Sequence, residues 1–242
     1  MTTYLLAKHV FLCMHGNDVV FLDLREDKYL SMDAAKVRSV LALPTSSSKA
    51  EDSTRVAGTQ SLGDPSGQRS AQALLKRGLL TIDRTAGKEV EVAHVDDPET
   101  DLIGIAPPVQ PHVRLIDVVR FVAATFSAWK AMRFGSLEAI VSKANDRRLK
   151  HTNNAYEIDL ERAKSCMSLF ERIRPFLFGA RDQCLFESFV LSNFLAKYGL
   201  YPEWVFGVTT DPFAAHCWLQ HRRVVFNDYA EHASEFTPIM II

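Results

Sequence analysis

A chain of 242 residues with 47% hydrophobic and 24% charged residues can bury a core, and its length fits two modest domains. The formal net charge of −1 lacks the basic excess that nucleic-acid binding calls for. The four cysteines, Cys13, Cys166, Cys184 and Cys217, form no CxxC pair and follow no secretory signal, so free thiols and a cytoplasmic location are expected. The most apolar long stretch, residues 115–132, holds Asp117, Arg120 and Lys130 and is too polar for a membrane span.

Taken in order, residues 4–13 and 19–24 read as two strands joined by the turn His15-Gly16-Asn17-Asp18. Arg25-Glu26-Asp27 makes a second turn and residues 28–32 a third strand. Asp33 is placed to cap a helix from Ala34 to about Leu43, which Pro44 ends. Residues 45–67 are rich in Ser, Thr, Gly and Asp and read as a loop. A helix over 70–77, stopped by Gly78, then leads into an extended run at 79–82. Glycines, prolines and an acidic run make residues 85–111 a linker by composition, with a short strand at 89–95. Helices follow over 113–134, from Ser136 to about Arg147, and over 156–174, and they are expected to pack around the next helix.

The chemistry is concentrated in residues 181–228. Leu185, Phe186, Phe189, Val190 and Phe194 recur at helical spacing and Gly199 sits where a C-terminal glycine belongs, so a helix begins at or just before Cys184. Unpaired N–H groups and the helix dipole at that end favour an anion, which makes a thiol there a stronger acid and a better nucleophile. Residues 203–208 and 214–220 read as strands and 224–228 as a third, so the last two form a hairpin. A three-residue loop of His221, Arg222 and Arg223 sets His216 opposite Asp228; a two-residue loop of His221 and Arg222 sets it opposite Asn227. Either partner can orient an imidazole.

Singly, each of these residues has an ordinary explanation. A lone buried cysteine is usually a small hydrophobe, a lone histidine structural, and an aspartate part of a turn. Together, a helix-borne thiol, a strand-borne imidazole and an acid on the next strand supply nucleophile, base and orienting group. Gln183, beside the thiol, is a candidate oxyanion donor. His216 and Cys217 alternate across a strand, and no second Cys/His pair has zinc spacing, so neither metal nor cofactor is expected. The remaining histidines, His232 among them, read as surface residues.

Asp182-Gln183-Cys184-Leu185, Ala215-His216-Cys217-Trp218 and Val225-Phe226-Asn227-Asp228, in that order, resemble the lasso-peptide B proteins, leader peptidases with a transglutaminase-like fold. Phe236-Thr237-Pro238 adds to the likeness. Cys217 departs from it, a small residue such as Ala being usual there; its side chain is expected to point away from His216. Residues 20–24 with 29–32 resemble the PqqD-like precursor-recognition element. The resemblance implies an α+β chain: a small winged-helix-like N-terminal domain (1–85), a linker (86–110) and a papain- or transglutaminase-like C-terminal domain (111–242). It implies a triad of Cys184, His216 and Asp228, and leader docking at Tyr29, Leu30, Ser31 and Met32 with Leu74 and Leu75. It implies a precursor leader with a penultimate Thr as substrate and an asparagine-synthetase-like lasso cyclase as partner. Two other functions fit the same residues: a non-catalytic adaptor that presents the precursor to a cyclase, and an acyltransferase on this scaffold.

Overall fold

The structure is a computed structural model that describes residues 3–41, 43, 65–104, 111–152, 156–176 and 184–242. It is a mixed α+β chain that divides into two compact units, Met1–Ala93 and His94–Ile242.

In the first unit, strands β1 (Leu5–Ala7), β2 (Val10–His15), β3 (Asp18–Asp23) and β4 (Lys28–Asp33) are followed by helix α1 (Ala34–Arg38), helix α2 (Pro65–Lys76) and strands β5 (Leu80–Thr81) and β6 (Gly87–Lys88). The single strand expected over 4–13 is broken at Lys8 and His9. The first piece pairs with β5 and β6, and the second joins the antiparallel sheet β2-β3-β4. Pairing on both sides of β1 also corrects the expected strand at 89–95: the ladder uses Gly87 and Lys88 instead. Gly16 turns β2 into β3 with φ +60°, a conformation that costs glycine nothing. Asp33 caps α1 as expected, its Oδ1 accepting from Ala35 N (2.9 Å) and Lys36 N (3.3 Å). The helix stops at Arg38 because Val40 N and Leu41 N both turn back to Val37 O, which buries Val40 and Leu41 in the core.

Among the described residues β4 is an edge strand, paired with β3, and Leu30 and Met32 lean partly onto the core of Leu12, Val19, Phe21 and Val37. Tyr29 is half-buried and Ser31 exposed. Leu74, expected at the docking groove, is 1% exposed and packed into that core, so its side chain offers no surface; Leu75 is half-buried beside it.

The second unit begins with β7 (Thr100–Asp101) and continues through helices α3 (Leu115–Phe134), α4 (Leu137–His151) and α5 (Leu160–Ile173), a 3₁₀ turn (Arg174–Phe176) and helix α6 (Cys184–Ala196). Strands β8 (Glu203–Thr210), β9 (Phe213–His221) and β10 (Val224–Val225), the short helix α7 (Ala230–Ser234) and β11 (Thr237–Ile241) complete it. The sheet order is β11-β8-β9-β10-β7. Both units therefore draw a strand from the stretch expected as a linker, since β6 completes one sheet and β7 lies parallel to the edge of the other.

Helix α6 is held by rings from two neighbours. Phe194 lies 5.8 Å from Phe121 of α3 and 5.7 Å from Phe170 of α5. Buried Asp117 at the start of α3 accepts from the Tyr198 hydroxyl at 2.7 Å, just past the end of α6, so the two helices are also tied by a polar bond. On the other side, Phe189 stacks on Trp204 of β8 at 5.3 Å, and Trp204 Nε1 donates to Ser188 Oγ at 2.9 Å. These contacts fix where the first turn of α6 meets the sheet.

Gly207 of β8 pairs with His216 of β9, and the space its missing side chain leaves is filled by Trp218 and Phe236. A Cβ there would stand 2.8 Å from Phe236 Cβ and 2.9 Å from the Trp218 ring. Gly207→Ala is expected to destabilise the protein by about 1–3 kcal/mol, measured by denaturant unfolding, and to displace the two rings that pack beside His216.

Candidate active site

Cys184 is the first residue of α6, as the sequence suggests, and is half-buried. Among the described residues, β9 pairs with β8 at His216 and Cys217, and these two residues are the ones that act on the Cys184 sulfur. The Cys217 thiol, the His216 ring and the Cys217 backbone N–H are the groups that make Cys184 more acidic. Cys217 does face away from His216, but it lies against the nucleophile helix, 3.4 Å from Ser188 Oγ, and its S–H points at the sulfur of Cys184. No local pattern signals that contact, because it depends on where the helix end meets the strand.

The hairpin register differs from both expected forms. Val224 pairs with His221 and Val225 with Gln220, so the turn is Arg222 and Arg223, with Arg222 at φ +51°. His221 is kept in the strand because its ring is buried and accepts from Ile158 N at 3.3 Å. The turn arginines point outward to Glu157 and Glu99. Phe226 N still bonds Leu219 O, and then Asn227 leaves the ladder with its side-chain Oδ1 accepting from Leu219 N at 2.8 Å. Asn227 thus replaces a strand carbonyl and does not orient the imidazole. The chain bends after it, and Asp228 Oδ2 comes to 2.7 Å from His216 Nε2.

With Nε2 given to the carboxylate, Nδ1 is the nitrogen left for the thiol. The His216 ring is walled by Trp218 (5.8 Å, nearly parallel), Phe236 (5.2 Å) and His232 (5.0 Å). His232, read from the sequence as a surface residue, places Nδ1 2.7 Å from the same Oδ2. Its spacing of four from Asp228 was visible, but nothing in the sequence announced the short helix α7 that makes this spacing a contact. The ligand-type atoms of His216, Asp228 and His232 lie within 4.8 Å of one another. At 2.7 Å each, the two nitrogen–carboxylate separations are those of direct hydrogen bonds. Gln183 lies outside the described residues.

Electrostatics separates the four thiols. Burial pushes Cys13 up to about 12 and Cys166 to about 11, which leaves both protonated and inert. Cys184 goes the other way: the Cys217 hydrogen bond lowers it most, burial opposes, and the bond and charge of His216 bring it down to about 4. Burial alone would lower His216, but the hydrogen bonds to Asp228 and Cys184 and their negative charges raise it to about 9. Asp228 is likewise disfavoured as an anion by burial, yet the His216 and His232 bonds hold it below its ordinary value. A thiolate, an imidazolium and a carboxylate in sequence can carry out nucleophilic attack on a carbonyl.

Residues 122–241 match the model of the transglutaminase-like superfamily. The C-terminal half carries a transglutaminase-like domain. That superfamily contains cysteine peptidases and acyltransferases, and its members are often cysteine-dependent enzymes. No curated protein and no solved structure matches the chain. Among the described residues, no helix is long and apolar enough to cross a membrane.

If the Cys217 S–H is the main support of the Cys184 thiolate, Cys217→Ala raises the pH at which Cys184 becomes reactive by about one unit or more, roughly 1.4 kcal/mol. The check is the pH dependence of iodoacetamide alkylation at Cys184, followed by mass spectrometry; Cys217→Ser, which keeps a donor, is expected to shift it less.

Proposed function

We propose that this protein is a cysteine peptidase that binds the leader of a ribosomally made lasso-peptide precursor and removes it. The observation that carries the reading is the 2.7 Å bond of His216 to Asp228, with Cys184 made acidic by Cys217 and by the same imidazole, within a transglutaminase-like domain. In this reading the Cys184 thiolate attacks the peptide carbonyl at the end of the leader. The resulting oxyanion is assigned to the N–H of Cys184 at the start of α6, with Gln183 proposed as a second donor. His216, protonated at Nδ1, gives that proton to the departing amine. It then takes one from the water that opens the thioester, and Asp228 keeps the ring turned throughout.

The N-terminal unit is proposed to be the PqqD-like, winged-helix-like recognition element. Among the described residues β4 pairs with β3 on one side, and its other side, along Leu30, Ser31 and Met32 with Tyr29 beside them, is the proposed place for an extended leader to add a strand. Leu74 and Leu75 support that sheet from α2. The freed core peptide passes to a cyclase of the asparagine-synthetase-like kind, all within the cytoplasm.

Mass spectrometry of a lasso precursor incubated with the protein tests the reading. Wild type is expected to release the leader, and Cys184→Ala to lose the activity by more than about a thousandfold. Unchanged release by Cys184→Ala overturns the peptidase and leaves a presenting adaptor, and an amide-linked product on addition of a primary amine identifies acyl transfer. The pH profile supplies a second test: activity is expected to rise as pH passes about 4, where Cys184 ionises, and to fall beyond about 9, where His216 loses its proton. Leu30→Asp is expected to weaken leader binding about tenfold or more, read by fluorescence anisotropy of a labelled leader, with alkylation of Cys184 unchanged.

A further inference from the structure

The Asp228 carboxylate is held by more than the catalytic imidazole. Its Oδ1 accepts from Tyr229 N at 2.8 Å, and its Oδ2 accepts from two rings, His216 Nε2 and His232 Nδ1, each at 2.7 Å. A carboxylate oxygen has two in-plane lone pairs, and here each takes one ring N–H. Both histidines must therefore carry a proton on the nitrogen that faces Asp228. For His216 this fixes the tautomer with Nδ1 as the nitrogen turned to the sulfur. For His232 it leaves Nε2 free to solvent, and the residue is 47% exposed at its side chain.

The backbone around this carboxylate is short of support. The strand ladder ends at Val225, so Asp228 stands beyond regular pairing, in a bend between β10 and α7. Ala230 N bonds Asp101 Oδ2 at 3.2 Å, which anchors the start of α7 but not the carboxylate plane of Asp228. Without His232 the carboxylate is held by Tyr229 N on Oδ1 and by the very ring it has to orient; His232 adds a donor on Oδ2 that does not depend on His216. Phe236, 5.2 Å from both imidazoles, closes the space on the remaining side.

We propose that His232 is a positioning residue of the site, acting through Asp228: its Nδ1–H occupies the second lone pair of Oδ2 and thereby locks the carboxylate that sets the His216 tautomer. The inference rests on the hydrolytic reading for its consequence in rate, but its structural content can be tested without substrate. His232 touches neither the thiol nor the reacting carbonyl; it keeps the ring that serves them in register.

The experiment compares His232→Ala with His232→Asn, whose side-chain amide can place a donor near the position of Nδ1. Nitrogen–proton NMR of the histidine rings reads the tautomer directly. Recorded above about pH 9, where the His216 ring has given up its second proton, wild type and His232→Asn are expected to show His216 as the single Nε2–H form, and His232→Ala to show it exchanging between tautomers. On precursor cleavage, His232→Ala is expected to lower kcat about tenfold with KM unchanged, and His232→Asn to restore most of it. Ala230 and Ala233, the buried residues of α7, are untouched in both variants, and unfolding midpoints verify that they fold. A His216 tautomer and kcat unaltered by His232→Ala overturn the proposal, as does a folded His232→Asn that behaves like His232→Ala. Absence of cleavage by the wild type counts against the peptidase alone, since the NMR comparison still decides the role of His232.

Discussion

The bond between His216 Nε2 and Asp228 Oδ2 is the constraint on which the site depends, and the sheet does not make it by simple pairing. Two antiparallel strands bring residues opposite one another only while the ladder lasts, and here it ends at Val225, before the acid is reached. The side chain of Asn227 then takes the place of a backbone acceptor for Leu219 N, which frees the main chain to bend while the polar groups of β9 stay satisfied. That bend carries Asp228 beside the imidazole of His216, four residues along β9 from the last paired rung at Gln220.

The same geometry divides the labour among the thiols. Each of the four cysteines is at least partly buried, and burial by itself opposes ionisation. Cys184 escapes because a second thiol, a ring and a backbone N–H act together on its sulfur. The position of the sulfur is fixed by the packing of α6 against α3, α5 and β8, so the ring contacts of Phe189 and Phe194 contribute to chemistry as well as to stability. Gly207 has a matching role on the other face, since its lack of a side chain lets Trp218 and Phe236 close over His216.

Much of this was legible in the sequence, where local rules apply. The start of α6 at Cys184, its glycine stop with φ +74° at Gly199, the Asp33 cap and the strands carrying His216 followed from periodicity and capping alone. What was not legible depended on tertiary contacts. The hairpin turn moved to the two arginines because the His221 ring is buried against Ile158, a partner 63 residues away in sequence. The split of the first strand reflects pairing with β5 and β6, and the role of His232 reflects a five-residue helix too short to announce itself by pattern. Cys217 was read correctly as facing away from His216, yet its importance lies in what stands on that other side.

The most direct test of the central claim is the ultraviolet absorbance of the thiolate, followed against pH in the wild type and in His216→Ala. One thiolate is expected to form near pH 4 in the wild type, and to need a markedly higher pH once the imidazole is removed. A wild-type protein that forms no thiolate below the ordinary cysteine range, or a variant that titrates as the wild type does, would contradict the account.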